Sequence, residues 1–163
     1  MRRFIIPVLL LGLLFLTIII NPFNLKSSSH ATIEAVSLNR LASNAPAIAI
    51  ATVKEISDPY AIPPIKEVRD VYLEVENFIV NDLNLPSQIS VIAPENWVKF
   101  LENERVIVFI EKRQFGIEKL PKLTTMGYSQ GKFKIKGNIA TNGRDSLNIN
   151  ELVNYVKQQR LPK

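Results

Sequence analysis

Residues Phe4 to Ile20 read FIIPVLLLGLLFLTIII, an unbroken run of uncharged, mostly apolar residues behind Arg2 and Arg3. As a helix this run spans about 26 Å at roughly 1.5 Å per residue, slightly less than the ~30 Å hydrocarbon core of a bilayer. It offers no polar face to water, so it does not suit the core of a small soluble fold. It predicts a membrane-targeting helix, with the two arginines keeping the N-terminus in the cytoplasm and everything that follows outside. A cleaved signal peptide needs a small-x-small site close behind its apolar core. The best match, Ser29-His30-Ala31, lies well beyond Asn21, Pro22 and Lys26. That distance favours a retained signal anchor over residues 1–20 and a single-pass protein of the cell membrane. Cleavage after Ala31 would instead release a secreted domain. Residues 21–31, with Pro22, two asparagines and a serine run, read as a short polar tether.

Residues 32–163 are enough for one extracytoplasmic domain with a single core. The chain has no cysteine, so an exported domain must rely on apolar burial instead of disulfides, and thiolate metal sites and thiol chemistry are excluded. Charge is unevenly placed: residues 32–111 hold 6 Lys/Arg against 12 Asp/Glu, and residues 112–163 hold 11 against 3.

From Thr32 the apolar spacing of Ile33, Val36, Leu38 and Leu41 predicts a short amphipathic helix that stops at Ser43-Asn44-Ala45-Pro46. Ala47 to Ile56 begins apolar on both faces, as a central strand would. Asp58-Pro59 and Pro63-Pro64 then impose a loop. Val68 to Val80 is a long strand whose apolar phase slips at Glu76-Asn77, which points to a β-bulge. Asn81 to Pro86 is a polar turn into a third strand, Gln88 to Ala93. Arg105 to Glu111 is a fourth, nearly all apolar and therefore central. Thr125 to Lys136 gives a fifth, with its KFKIK end buried on one face. Gly137 to Ser146 reads as a loop. Asn148 and Glu151 form a capping box ahead of a helix bearing Ile149, Leu152, Val153 and Val156.

The segments LNRLASNAPAIAIATVKEI, LENERVIVFIEK, GYSQGKFKI and SLNINELVNYVKQ, in this order, resemble a broad group of poorly characterised bacterial secreted or membrane-anchored proteins with an OB-like domain. These are similar in outline to the netrin and tissue-inhibitor-of-metalloproteinase modules. The resemblance implies a mainly β fold: a small OB-like five-stranded barrel with a short N-terminal helix and a closing C-terminal helix. It carries over no catalytic residue. Tissue inhibitors act through an N-terminal cysteine that approaches the protease zinc, and this chain has none.

His30, the only histidine, falls in the tether, which leaves neither a Ser-His-Asp arrangement nor a His-rich metal site to build on. Gly127 and Gly131 precede Lys132, but the spacing is wrong for a phosphate loop and the context is a strand; the glycines instead relieve crowding where the strand bends. Glu74 and Glu76, with Asp70, share a strand face as a solvated surface would, or as a carboxylate pair for hydrolysis. Lys132, Lys134 and Lys136 alternate onto one face. That pattern guards a sheet edge, or binds a polyanion with Tyr128 as a stacking partner. Trp97 either covers one end of the fold or anchors a partner.

The sequence thus predicts a non-enzymatic, membrane-tethered binding or accessory domain without cofactor or metal. Its expected partners are the membrane, through Phe4 to Ile20, and a cell-surface protein, an anionic polymer or lipid headgroups. The compartment argues against nucleic acid. A hydrolase-like enzyme using carboxylates is the alternative.

Overall fold

The structure, a computed structural model, describes residues 36–161. The helix expected at Phe4 to Ile20, the tether, His30 and the cleavage site after Ala31 lie outside the described residues. Among the described residues the fold is mainly β. Helix α1 (Leu38–Asn44) leads into β1 (Ala47–Ile56), β2 (Tyr60–Ile62), β3 (Ile65–Asn81), β4 (Gln88–Pro94), β5 (Arg105–Phe115) and β6 (Leu120–Thr125). A 3-10 turn (Tyr128–Gly131) then precedes β7 (Lys132–Lys136), β8 (Ile139–Thr141), β9 (Ser146–Asn148) and helix α2 (Ile149–Gln159).

Five strands pair into a ring in the order β1-β3-β4-β6-β5, closed by β5 against β1. All of these pairings are antiparallel except the short β4–β6 contact at Ile92 and Thr124. The β7–β8–β9 strands extend the sheet outward from β5 and stand outside the ring. One apolar cluster joins alternate residues of the ring strands: Ala47, Ala49 and Ala51 of β1, Val71 and Leu73 of β3, Val91 of β4, Val106 and Val108 of β5. A second uses the other face of β1 and β5, where Ile48, Ile107 and Phe109 pack with Leu41 of α1, Phe133 of β7 and Leu152 and Val156 of α2. Ala47–Ala51 of β1 and Val106–Ile110 of β5 are therefore buried on both faces, the physical reason that these stretches are apolar without alternation.

The bulge expected at Glu76-Asn77 is present. Ile50 pairs with Asn77 and Ala51 with Val75, so Glu76 is the extra residue that lets the long strand bend. The capping box also forms: Asn148 Oδ1 accepts from the Asn150 N–H at 2.9 Å, and Glu151 Oε2 accepts from the Asn148 N–H at 3.3 Å. Arg160 closes the far end of α2. Its guanidinium donates to the carbonyls of Ala42 (3.0 Å) and Ala45 at the end of α1, and to Asp82 Oδ2 at 2.8 Å.

Four expectations need correction. The stretch from Asp58 to Pro64 is not wholly a loop, because Tyr60–Ile62 forms β2 and pairs with β3. Thr125 to Lys136 is not one strand, because Gly127 and Tyr128 adopt left-handed backbone (φ 69° and 58°) and start the 3-10 turn that separates β6 from β7. The fifth member of the ring is consequently β6, and the KFKIK strand lies outside it. Gly137 to Ser146 is not wholly a loop either, since β8 lies within it and pairs with both β7 and β9. Gly131 does relieve crowding, as a Cβ there would sit 1.9 Å from the carbonyl oxygen of Met126.

Candidate functional site

The candidate site is assembled by three segments that meet beside the ring: the connection between β4 and β5, the 3-10 turn, and β7. In β7, Phe133 and Ile135 point into the second apolar cluster, so Lys132, Lys134 and Lys136 face the other way. The three lysines are nevertheless not equivalent. Lys132 is enclosed, with a side chain only 10% exposed, and its ammonium lies 2.5 Å from Glu104 Oε2, whose side chain is 5% exposed. It also donates to the carbonyl of Lys99 at 2.6 Å and sits 4.7 Å from the centre of the Phe100 ring. Burial pushes the Lys132 pKa below the usual lysine value, against the opposing pull of Glu104. Lys134 reaches the other Glu104 oxygen at 3.3 Å while remaining partly open to solvent, and Lys136 is exposed.

A concavity of about 350 Å³ opens over this group, lined by Lys132, Lys134, Glu104, Ser129, Asn142 and Gly143 among others. Arg144 stands at its margin, donating to Gln130 Oε1 at 3.2 Å. On the other side of the β4–β5 connection lies a larger groove of about 590 Å³, with Val71, Ala93 and Phe100 in its lining and the Arg69–Glu95 ion pair at 3.0 Å beside them. Val98 and Lys99 line both hollows, so this connection is the wall between them.

Trp97 and Tyr128, singled out separately in the sequence, are in contact. Their ring centres are 4.5 Å apart and the planes lie at 77°, an edge-to-face pair. Arg113 lies against the Tyr128 ring, 5.4 Å from its centre, and donates to the phenol oxygen at 3.3 Å. Trp97 rests on a third cluster formed by Val68, Ile92 and Phe115, which come from three of the ring strands. Glu111 lies 2.8 Å from Arg113 Nε, but its buried Oε1 is not aligned for a hydrogen bond. Burial raises the Glu111 pKa above the usual carboxylate value, and Arg113 opposes that rise.

Glu104, Arg113 and Arg144 were not legible as site residues. Glu104 belongs to a run of charged and polar residues, Glu102 to Arg105, that reads as a solvated turn. Only the approach of β7 to the first half of β5 brings two lysines to it.

The carboxylates of β3 are not gathered into one centre. Glu74 pairs with Lys54 at 2.5 Å. Glu76 accepts a two-pronged contact from Arg105 (2.9 and 2.6 Å) and a hydrogen bond from Thr52, and the Arg105 bonds hold its pKa below the ordinary value. Asp70 lies beside Ser90 and Tyr60. Burial, reinforced by Asp70, pushes the Tyr60 phenol up to about 12. Ultraviolet titration is expected to show one tyrosine ionising near pH 12, and Tyr60→Phe should remove that step. Because the folded state keeps this proton longer than the unfolded chain, stability should fall as pH rises from 10 towards 12. Loss of the late step in the other tyrosine variants but not in Tyr60→Phe would contradict the assignment.

No known protein family matches the chain, and neither does any curated protein.

Proposed function

We propose that this chain is a membrane-tethered, extracytoplasmic binding domain of OB-like architecture that takes an anionic group of a cell-surface polymer beside β7, without catalysing a reaction. The strand order of the ring supports the architecture. Taken in chain order, its five strands are arranged first, second, third, fifth, fourth, with the third and fifth parallel, which fits a five-stranded Greek-key barrel of the OB type. The apolar run at Phe4 to Ile20 supports the tether.

The observation that carries the ligand class is the 350 Å³ concavity, in which Lys134, Ser129 and Asn142 surround a lysine already neutralised by Glu104. One carboxylate serves two ammonium groups, so the site keeps a net positive charge, and the hydroxyl and amide add uncharged hydrogen-bond partners for an anion. Tyr128, packed edge-to-face against Trp97, adjoins Ser129 and supplies a rigid aromatic margin.

Lys132 is unsuitable for testing this reading, because its loss would leave Glu104 buried without its closest partner. Lys134→Gln combined with Lys136→Gln is the appropriate variant. Retention on an anionic polymer is expected to weaken about three- to tenfold, as the loss of two charge contacts allows, and to weaken further with salt, while Lys132 keeps Glu104 paired and the unfolding midpoint falls only slightly. Retention that is unchanged and insensitive to salt would overturn the proposal.

A further inference from the structure

The hairpin joining β5 to β6 carries an apolar surface with no part in the site above. Its turn closes through the Lys119 N–H to the Gly116 carbonyl at 3.2 Å, with left-handed backbone at both residues (φ 53° and 72°). Ile117 is 84% exposed and Leu120 is 48% exposed. A single exposed isoleucine is unremarkable on a protein surface. Here a second hairpin lies directly alongside. A Cβ added to Gly116 would come within 2.8 Å of Ile62 Cγ2, so only glycine lets the β2–β3 turn approach this closely. The cleft between the two turns, about 320 Å³, is walled by Ala61, Ile62, Pro63, Ile117 and Leu120, with Phe115 beneath. Phe115 is buried against Val68 and Ile92, which fixes the base of the hairpin and leaves its tip projecting.

The charge around this apolar edge is predominantly positive, with Glu118 as an acid in the cleft lining. Lys112, Lys119 and Lys122 are exposed on the hairpin, and Glu118 is the acid that opposes them. Lys66 and Glu67 of the neighbouring hairpin cancel. None of the three lysines takes part in an ion pair among the described residues. An apolar protrusion collared by unpaired lysines suits a lipid surface: branched side chains sink below the headgroups while lysine stems lie along the acyl boundary and lift their ammonium groups to the phosphates.

We infer that the two adjoining hairpin tips rest in the headgroup layer of an anionic bilayer, with Ile117 and Leu120 below the phosphates and Lys112, Lys119 and Lys122 among them. The inference rests on the tether reading only insofar as a tether brings a bilayer within reach, and it is independent of the anion site beside β7.

The chain lacks cysteine, so Ile117→Cys offers a single attachment point for a polarity-sensitive fluorophore. Asn138→Cys, in the exposed turn between β7 and β8, is the reference position. The full chain would be reconstituted with vesicles of phosphatidylcholine alone or mixed with phosphatidylglycerol. In the mixed vesicles the label at position 117 is expected to shift to the blue and to be quenched by a headgroup nitroxide, while the label at 138 stays aqueous. Lys119→Gln and Lys122→Gln should each lower the inserted fraction, since one basic residue at an anionic leaflet is worth about fivefold in partitioning. A chain that floats with the mixed vesicles while its label at 117 stays aqueous would overturn the hairpin contact and leave the tether standing. A chain that floats with neither vesicle would overturn both. A blue shift that needs no lipid and grows with protein concentration would assign the surface to a protein contact and overturn the inference.

Discussion

Replacing Glu104 by alanine is expected to destabilise the domain by about 3–5 kcal/mol, the usual cost of removing one partner from a buried ion pair. Both side chains are nearly inaccessible, and the substitution would leave the Lys132 ammonium with only the Lys99 carbonyl and the Phe100 ring. Denaturant titration should show a lower midpoint at an unchanged slope. The pH dependence gives a second signature. Burial already lowers the Lys132 pKa against the pull of Glu104, so the unfolded chain binds more protons than the folded domain just below the ordinary lysine value. Stability therefore rises with pH through that window. Without Glu104 the depression deepens, and the Glu104→Ala variant should recover part of its deficit as pH rises across a wider range. Substituting both partners, Glu104→Leu with Lys132→Met, should be close to neutral, because no charge is then left buried. A loss below about 1 kcal/mol in the single variant would place the pair in the class of solvated surface bridges.

Gly131→Ala is expected to cost about 3 kcal/mol, at the upper end of what overpacking does. The new methyl group would lie 1.9 Å from a backbone carbonyl oxygen, that of Met126, so no side-chain rotation relieves the overlap and the 3-10 turn itself must move. That turn starts at Tyr128, whose ring packs against Trp97. Trp97 is the sole tryptophan, so its fluorescence reports directly on the loss of this contact. The spectrum should change together with the lowered midpoint. A destabilised variant with an unaltered tryptophan spectrum would mean that strain is absorbed in β7 and not in the turn.

These two sites illustrate what the sequence does and does not encode locally. The first half of strand β1 was legible because burial on both faces demands apolar residues from Ala47 to Ala51, and the flanking Pro46 and Asp58-Pro59 bracket the strand. The Glu76 bulge was legible as a slip in alternation, since any extra residue moves the following side chains to the opposite face. The capping box was legible because its two partners are three residues apart. The break between β6 and β7 was not. Tyr128 adopts a left-handed backbone that no β-compatible aromatic advertises, and the Met126 carbonyl that excludes a larger residue at 131 is defined only by the turn. The site was harder still. Alternation correctly placed three lysines on one face, yet their individual fates depend on Glu104, 28 residues before Lys132 in the chain. The Trp97–Tyr128 contact likewise joins two segments whose proximity follows from the β5–β7 and β4–β6 pairings and from no periodicity.

The clasp at Arg160 bears on how such a chain reaches its folded state. Its hydrogen bonds to the carbonyls of Ala42 and Ala45 span 118 and 115 residues, and β1 needs β5 on its second edge. A nascent polypeptide thus completes helix α1 long before the Arg160 that clasps it has been synthesised. Early folding has little to hold it, and assembly is deferred until nearly the whole domain is available.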